Sequence, residues 1–432
     1  MVLPAEIRLD RLRQLVEKED PIGYEKLFYH GVSERLPVYR IPLECLVFNR
    51  HNGRIESEML TWQHEHDLGA TDYNDEIHNL IEKFLWTSSR ERNEHTKRDI
   101  ERKGQLRPGI VSLDGVIIDG NRRAMLLGRI GEGLKFEAIV LKDRYYENEK
   151  EIIKLETEYQ IGEDSKVEYG PLEKYLKVKR LKQHDYTDEE IRQMMGGITK
   201  SELARRIGTM ALMDDYLEYI QCPGLYNLLK ERDGTKEGML VDLHSDLKRF
   251  SEGKAGLSWT PDDIDVTELK AIQFDYLRYG TSLFSSGKDY RKISHDGKGE
   301  KSFFANEDIW EGFRTRHYEN VHPETAKIGD VDDYIKANPD IESRAQAAQR
   351  RDSEWKSKVK GKMIGNFNRA GNSLEAEISS NEPRELLYRA LSSIERVDYT
   401  ASSFLDDASI PEMVNDINSI TYEMKKRLKK SE

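Results

Sequence analysis

Two arginines follow a glycine where an apolar run of the sequence ends. The run Val116–Ile118 leads into Asp119–Asn121, and Arg122 and Arg123 come directly afterwards. If a helix starts here, its first turn presents unpaired backbone N–H groups and a partial positive charge. Gly120 has no Cβ to keep a ligand from the backbone, and guanidinium groups have the planar geometry that suits phosphate. The pattern therefore predicts an anion site for the phosphates of a nucleotide.

A simpler interpretation of the same residues is also open. Asp119 or Asn121 can cap a helix with a side-chain oxygen, and the two arginines are then solvated surface residues. Turns of the Asp-Gly and Asn-Gly type are common before helices. The corner by itself does not choose between an anion site and a capped helix.

The corner needs strands before it and a helix after it. Glycine-marked turns alternate with β-branched runs in this part of the chain, and an apolar stripe with helical spacing follows the arginines. Upstream, the charged residues 75–103 are predicted to be helical. The predicted elements around the corner are a strand at Gly109–Ser112, a turn at Leu113–Gly115, a strand at Val116–Ile118, a helix at Asn121–Ile130 closed by Gly131, and a strand at Phe136–Leu141.

The composition excludes several classes of protein. Of the 432 residues, 37% are hydrophobic and 34% are charged, which suits about two to four folded domains with charged surfaces. No stretch approaches the roughly 18 apolar residues of a membrane span, and the charged N-terminus does not resemble a signal peptide. Two cysteines, Cys45 and Cys222, give no disulfide framework and predict a reducing cytoplasm. The net charge of −12 means that any nucleic-acid contact needs a local basic patch.

The predicted fold class is α+β, with a small mixed α/β domain followed by mainly α-helical domains. Strand signals fade beyond residue 145, and residues 5–30 are predicted to be helical at least in their first half. The predicted divisions are an N-terminal helical segment at 1–36, the mixed domain with the corner at 37–145, a helical helix-turn-helix module at 146–232, an unassigned middle region at 233–335 and a helical C-terminal region at 336–432.

Two motifs in this order resemble the ParB N-terminal domain. The segment Gly104–Val111, GQLRPGIV, is similar to that family's G-x-x-Q-P-I-V-V box, and Gly120–Gly128, GNRRAMLLG, is similar to its G-E-R-R-x-R-A-A box. Upstream, Ile41–Arg54 resembles the family's opening strand and its N-x-x-x-x-R loop. The resemblance covers roughly residues 37–145. It implies the fold that ParB domains share with sulfiredoxin and a free-serine kinase, all of which bind nucleoside triphosphates at this corner.

The resemblance also implies which residues contact the nucleotide. Its second box would place Gly120, Arg122 and Arg123 at the triphosphate, with ATP or CTP and Mg²⁺ as the cofactors. Arg107 stands where ParB usually has a glutamine that contacts the nucleotide, and Asn121 replaces the family's glutamate. The implied nucleotide-binding residues are Arg54, Gln105, Arg107, Gly120, Asn121, Arg122 and Arg123.

Two carboxylates, Asp119 and Glu158, are the candidates for catalysis. Asp119 resembles the D-G-x-x-R variants, which include the serine kinase and the DGQHR-type proteins linked to DNA phosphorothioation and phage defence. Glu158 lies with Glu156 and Gln160 where ParB has an E-N-x-x-R segment that helps with the metal and phosphates; a charged helix and a solvated loop are the alternative. Asn121 occupies the position of the reactive cysteine of sulfiredoxin, so a sulfinic-acid reductase is excluded. The sequence does not identify the metal ligands.

A helix-turn-helix is predicted C-terminal to this domain. Thr187 and Glu190 form a capping-box pattern, Gly196–Gly197 supplies the turn, and Thr199 starts a second helix. The second helix would reach a major groove or its phosphates, and an ordinary helical hairpin with a solvated face is the alternative. The predicted DNA-binding residues are Lys200, Ser201, Arg205 and Arg206 on the second helix, and Lys179 and Arg180 on the helix before it.

Three functions are compatible with these features. The first is a nucleoside-triphosphate-dependent DNA-binding protein of the ParB-like type, which would hydrolyse the nucleotide to reset itself. The second is an enzyme of the D-G-x-x-R type: an NTPase, a phosphotransferase or an NTP-regulated nuclease of a bacterial phage-defence or DNA-modification system. The third is a non-catalytic interaction protein. No membrane partner is expected.

The C-terminal region carries two apolar stripes at helical spacing. They either pack against the rest of the chain or join two copies as a homodimer. The stripes consist of Leu386, Leu387, Ala390, Leu391 and Ile394, and of Met413, Ile417, Ile420, Met424 and Leu428.

Overall fold

Helices and strands both occur among the described residues, which confirms the predicted α+β class. The structure is a computed structural model. The chain divides into two units, residues 1–370 and residues 371–432. The residues that the structure describes are 2–66, 73–159, 170–230, 235–253, 257, 259–295 and 302–429.

Among the described residues of the first unit, six strands form one mixed sheet. They are Gly23–Tyr29 (β1), Val32–Pro42 (β2), Val47–Phe48 (β3), Gly109–Val111 (β4), Val116–Asp119 (β5) and Lys135–Val140 (β6). The order across the sheet is β1-β2-β6-β4-β5-β3. β3 runs parallel to β5, and β4 runs parallel to β6, whereas the other neighbours are antiparallel. Because β3 and β5 point the same way, the residues that follow them meet at one edge of the sheet.

Helices cover both faces of this sheet. They are Ala5–Lys18 (α1), Glu56–His66 (α2), Asp75–Thr87 (α3), Arg90–Lys103 (α4), Asn121–Ile130 (α5) and Glu149–Thr157 (α6). Ile117 of β5 packs in one core with Ile81 of α3, whereas Ile118 packs in the other with Leu155 of α6. This alternation is the period of a strand buried on both faces. The predicted strands and helix around the corner, and the helices predicted at 75–103, are confirmed.

The N-terminal segment differs from the prediction in its second half. Helix α1 ends at Lys18, and the sheet begins at Gly23–Tyr29, so the segment 1–36 is not helical throughout. Pro21 ends the helical pattern, and the aromatic and β-branched residues after it favour a strand. The first strand of the sheet therefore lies before residue 37, at which the predicted mixed domain was to begin.

The described part of the first unit after the sheet is mainly helical. Its helices are Pro171–Gln183 (α7), Asp188–Met194 (α8), Lys200–Tyr219 (α9), Thr235–Ser251 (α10), Asp263–Tyr279 (α11), Glu307–Asn320 (α12), His322–Ala326 (α13) and Val331–Ala337 (α14), followed by Arg344–Glu395 (α15), which continues into the second unit. The buried residues Met213 and Tyr216 of α9 pack in one core with Tyr175 of α7, Leu240 of α10 and Phe274 of α11. Much of the previously unassigned region 233–335 is thus helical and shares this core.

The second unit contains the end of α15 and two further helices, Ser402–Leu405 (α16) and Ile410–Leu428 (α17). Helix α17 has no buried residue. Its apolar side chains are exposed, with Met413 at 53% and Ile420 at 56%. This apolar face therefore has no partner in the described part of the unit. An isolated helix of this length is only marginally stable in water, so a partner for the face would stabilise it.

Phe136 of β6 packs between two glycines of the corner region. Its ring is fully buried. A Cβ added at Gly109 would come within 2.3 Å of the ring, and one added at Gly120 would come within 2.6 Å. Gly120 also has a φ of +97°, a conformation that other residues rarely adopt. The glycine of the corner is thus required by the packing of Phe136 and by the backbone.

Replacement of Gly120 by alanine should destabilise the fold. The positive φ and the contact with Phe136 should together lower the free energy of unfolding by at least about 2 kcal/mol. Chemical denaturation of the two proteins measures this difference. Gly131 is the matched control, because its φ of 176° is extended backbone and an added Cβ meets nothing within 4 Å. Equal unfolding midpoints for Gly120→Ala and Gly131→Ala would contradict the packing argument.

Candidate functional site at the strand-to-helix corner

Asn121 joins the ends of the two parallel strands. Its Oδ1 accepts a hydrogen bond from the backbone N of Asn49 at 2.8 Å, and its Nδ2 donates to the carbonyl of Ile117 at 2.9 Å. The residue is only 2% exposed. Sequence reasoning placed Asn121 among the nucleotide contacts, but its side chain is used within the fold, where it holds the loop after β3 against the corner.

Arg123 and Gln105 fasten the Gly104–Val111 segment to its neighbours. The Nη2 of Arg123 donates to Oδ2 of Asp119 at 2.5 Å, and its Nη1 donates to the carbonyls of Arg107 and Pro108 at 2.5 and 3.2 Å. Gln105 bonds both the N and the O of Glu137 in β6, at 3.0 and 2.6 Å. Two of the predicted nucleotide contacts therefore stabilise the corner itself. The side chain of Arg107 is exposed beside them.

Asp119 is the carboxylate at the corner. Burial raises its pKa, and Arg123 and the Gly120 N–H partly offset that effect. Its side chain keeps 21% of its surface exposed. A carboxylate that is partly desolvated and still reachable can accept a proton or ligate a cation.

Arg122 lies beside two other arginines. Burial, followed by the charges of Arg54 and Arg92, lowers the pKa of Arg122 to about 10. Its guanidinium donates to Oδ1 of Asn93 at 2.5 Å and to Oγ1 of Thr96 at 3.0 Å, which are neutral acceptors. No ion pair to Arg122 occurs within the described ranges. The charges of Arg54, in the β3–α2 loop, and of Arg92, in α4, thus act on Arg122, and no described carboxylate pairs with it.

Asn93 positions Arg122, and sequence reasoning missed it. The side chain is completely buried, and its Nδ2 donates to the carbonyls of Leu85 and Trp86 at 2.9 and 2.8 Å. These bonds fix the amide so that its Oδ1 faces the guanidinium. An asparagine near the start of a charged helix gives no sequence signal for this role, since the carbonyls that it bonds belong to the preceding helix.

Glu156, and not Glu158, belongs to the ion cluster behind the corner. Glu156 is 1% exposed; it accepts from Nδ2 of Asn49 at 3.3 Å and pairs with Lys177 at 3.3 Å and Arg180 at 3.6 Å. Glu158 is half-buried at the end of α6, and burial raises its pKa. No described contact links Glu158 to Asp119, so the two predicted catalytic carboxylates are not brought together. Gln160 lies outside the described residues.

The predicted capping box, glycine turn and second helix are present, but most of the predicted DNA-contact side chains bond to other parts of the protein. Thr187 and Glu190 make the capping box, and both turn glycines have positive φ. Arg205 and Arg206 both pair with Glu202, at 2.6 and 2.8 Å. Their charges are therefore partly neutralised at the surface of α9.

The two basic residues predicted on the preceding helix also have protein partners. Lys179 donates to Oδ2 of Asp214 at 2.5 Å and to the hydroxyl of Tyr226 at 2.7 Å. Arg180 is 6% exposed, and its Nη2 donates to the hydroxyl of Tyr145. The prediction that Arg180 reaches DNA is wrong, because the cation lies inside the fold against Glu156. Lys200 and Ser201 are the predicted DNA contacts that are exposed.

No protein-family model matches the sequence, and no curated protein matches it either. The resemblance to ParB therefore stays a prediction from the quoted motifs. Within the described ranges, no group of three or more histidine, cysteine or acidic side chains could hold a metal ion. The same part of the chain contains no helix with both the length and the apolar character needed to cross a bilayer. Cys45 and Cys222 are free and buried.

Glu156 should matter far more for stability than Glu158. Glu156→Gln removes the buried anion that faces Lys177 and Arg180, which should cost about 3–5 kcal/mol of unfolding free energy. Glu158→Gln changes a half-exposed side chain and should stay within about 0.5 kcal/mol of the parent. Urea unfolding of the two variants measures both values. Similar losses in both would show that Glu156 does not have the special role assigned here.

Proposed function

We propose that the corner binds a nucleoside triphosphate. The observation that supports this proposal is the state of Arg122: its guanidinium is partly buried and has no ion pair among the described residues, and burial, followed by the charges of Arg54 and Arg92, lowers its pKa. Like charges in a partly desolvated site repel each other, and an anion between them removes that cost. Because Arg122 is bonded to the neutral groups of Asn93 and Thr96, its charge is left for a ligand.

The neighbouring backbone supports the same ligand. Arg122 lies in the first turn of α5, where unpaired N–H groups and the helix dipole favour negative charge. A cluster of three arginines suits the several charges of a triphosphate better than the single charge of a carboxylate. The proposal covers ATP and CTP, which present the same triphosphate.

Asp119 fits the Mg²⁺ that accompanies such a ligand. Mg²⁺ usually binds through one or two carboxylates together with phosphate oxygens. Asp119 is the carboxylate that the corner itself supplies, and part of its surface is exposed. When bound, the ion would neutralise phosphate charge, and Asp119 would hold it while Arg123 keeps the carboxylate in place.

The proposal predicts that the full chain binds a nucleoside triphosphate through Arg122. Calorimetric titration with ATP, CTP, GTP and UTP in Mg²⁺ measures the affinity. Arg122→Ala removes a charge-assisted donor and should weaken binding about 10- to 100-fold. Arg92→Ala should also weaken it, because Arg92 belongs to the same cluster.

Arg98→Ala is the control that matches the charge change. Arg98 is exposed on the same helix as Arg92 and has no described partner. Its loss should leave affinity nearly unchanged. If no nucleotide binds, or if Arg98→Ala and Arg122→Ala weaken binding equally, the corner is a capped helix with solvated arginines.

Hydrolysis of the bound nucleotide is a second candidate function. The raised pKa of Asp119 favours it, because a carboxylate of raised pKa is a better proton acceptor at neutral pH. An NTPase, a phosphotransferase or an NTP-regulated nuclease of the D-G-x-x-R type would all use this group. Phosphate released during the titrations distinguishes turnover from binding alone, and binding alone favours a switch or an interaction protein.

DNA is a proposed partner of the helical module. Lys200 and Ser201 are exposed at the amino end of α9, where a helix-turn-helix contacts the DNA backbone or bases. The paired Arg205 and Arg206 reduce the positive charge that α9 can offer. This proposal is supported by the helix geometry and by these two exposed residues.

A homodimer through α17 is the other proposed assembly. Ile410, Met413, Ile417, Ile420 and Met424 recur at the a and d spacing of a coiled coil. The helix is acidic near its start and basic over its last turn, so two copies in antiparallel orientation would bring opposite charges together.

Ile417→Asp should therefore shift the chain towards a monomer. A charge at the centre of the apolar stripe should raise the dimer dissociation constant at least tenfold, because an unpaired carboxylate would be buried. Sedimentation equilibrium measures the mass. Asn415→Asp makes a matched charge change away from the stripe and should not alter assembly. A monomeric parent chain would contradict the dimer.

A further inference from the structure

The β1-β2 hairpin exposes one face that combines aromatic and cationic side chains. On β1, every second residue points to this face, and these residues are Tyr24, Lys26 and Phe28. Tyr24 is 57% exposed and Phe28 is 49% exposed. Their partners on β2 are Pro37, Arg35 and Ser33, respectively.

The opposite face of the hairpin has a different character. Leu27 is buried there in one core with Val38. Glu25 and Glu34 also point to this second face, because their cross-strand partners are Leu36 and Leu27. The acidic residues of the hairpin thus lie away from the aromatic and cationic face, which carries positive charge in a chain of net charge −12.

Lys26 and Arg35 form a directly opposed pair of like charges. Such a cross-strand pair is destabilising, because the two side chains lie close together on one face. A lysine on an edge strand can protect against aggregation, and β1 is the edge of this sheet. That explanation does not require a second cation opposite. Neither side chain has a hydrogen bond or an ion pair within the described ranges, so an external anion would relieve the repulsion.

We propose that this face of the hairpin binds single-stranded nucleic acid. The two rings lie four residues apart on one strand, which places them about 13 Å apart, with the cations between them. Exposed aromatic rings stack on unpaired bases of any sequence, and neighbouring cations bind the phosphates. Bases in a duplex are already stacked and paired, so the rings favour a single strand. The proposal uses no residue of the nucleotide corner and does not depend on it.

Fluorescence anisotropy with the full chain tests the proposal. The probes are labelled 20-residue oligo(dT), the same length of oligo(U), and a DNA duplex, each titrated over a range of salt concentrations. Tyr24→Ala and Phe28→Ala should each weaken single-strand binding at least about fivefold. The double variant Lys26→Gln, Arg35→Gln should reduce the slope of log affinity against log salt by about 1.4, since each lost phosphate contact contributes about 0.7.

Two further variants separate binding from folding. Glu25→Gln changes an exposed charge on the other face of the same strand, so affinity should be kept or slightly increased. Lys26→Glu replaces the like-charge pair with an opposite-charge pair opposite Arg35. It should keep or raise the thermal midpoint while weakening nucleic-acid binding, a combination that a general loss of structure cannot produce.

Single-strand binding that the hairpin variants weaken supports the proposal. A preference between oligo(dT) and oligo(U) then shows whether the ligand is single-stranded DNA or RNA. Binding that ignores the hairpin variants but falls with Lys200→Ala assigns the nucleic acid to the helix-turn-helix and overturns the proposal. Duplex binding that exceeds single-strand binding and that the hairpin variants weaken, or no binding to either single strand, also overturns it and leaves the face for a protein partner.

Discussion

The buried side chain of Asn49 connects the corner to the helical part of the first unit. The side-chain Nδ2 of Asn49 donates a hydrogen bond to Glu156, and its Oδ1 accepts one from the hydroxyl of Tyr145 at 3.3 Å. The backbone N of the same residue donates to the side chain of Asn121. Glu156 in turn holds Lys177 in α7. Hydrogen bonds are electrostatically stronger in a low-dielectric interior than in water, so these bonds tie the sheet edge to the helical module.

This network gives a physical route between the corner and the helices. Arg54 belongs to the same short loop as Asn49, and the loop is anchored at its start by Asn121 and Glu156. An anion that draws Arg54 towards Arg122 would act on this loop. Coupling through it requires that the loop have two arrangements with different ligand affinity. The proposed switch would operate through such a loop, whereas an enzyme at the same corner would need only the fixed arrangement.

The order of elements at the corner could be predicted from sequence because its signals are local. Glycine turns, alternating β-branched residues and a helical stripe lie within a short stretch that ends at Phe136–Val140, and the structure confirms them. The arginine cluster could not be predicted in the same way. Arg92 reaches the site from a helix whose position depends on tertiary packing, and Asn93 orients Arg122 through carbonyls of another helix.

The prediction that Arg180 of α7 reaches DNA is wrong for a related reason. A lysine or arginine in a charged helix is usually on the surface, and only a buried carboxylate elsewhere in the chain reverses that expectation. Here Glu156 draws Lys177 and Arg180 inside. On the hairpin, by contrast, Lys26 and Arg35 do lie on the surface, as a sequence would suggest. Only the strand register shows that they face each other and so indicates an anion site.

The ring of Phe136 has a consequence for how this sequence can diverge. Because the ring fills the space that a Cβ would need at both Gly109 and Gly120, the three positions form one steric unit. A smaller residue in place of the ring would remove one clash at each glycine, but a Cβ at Gly109 would still lie 2.7 Å from the backbone oxygen of Asp119, and Gly120 would still need its backbone conformation. Among relatives of this chain, we therefore expect Phe136 to change before either Gly109 or Gly120 does, because each glycine has a backbone constraint that remains when the ring is gone.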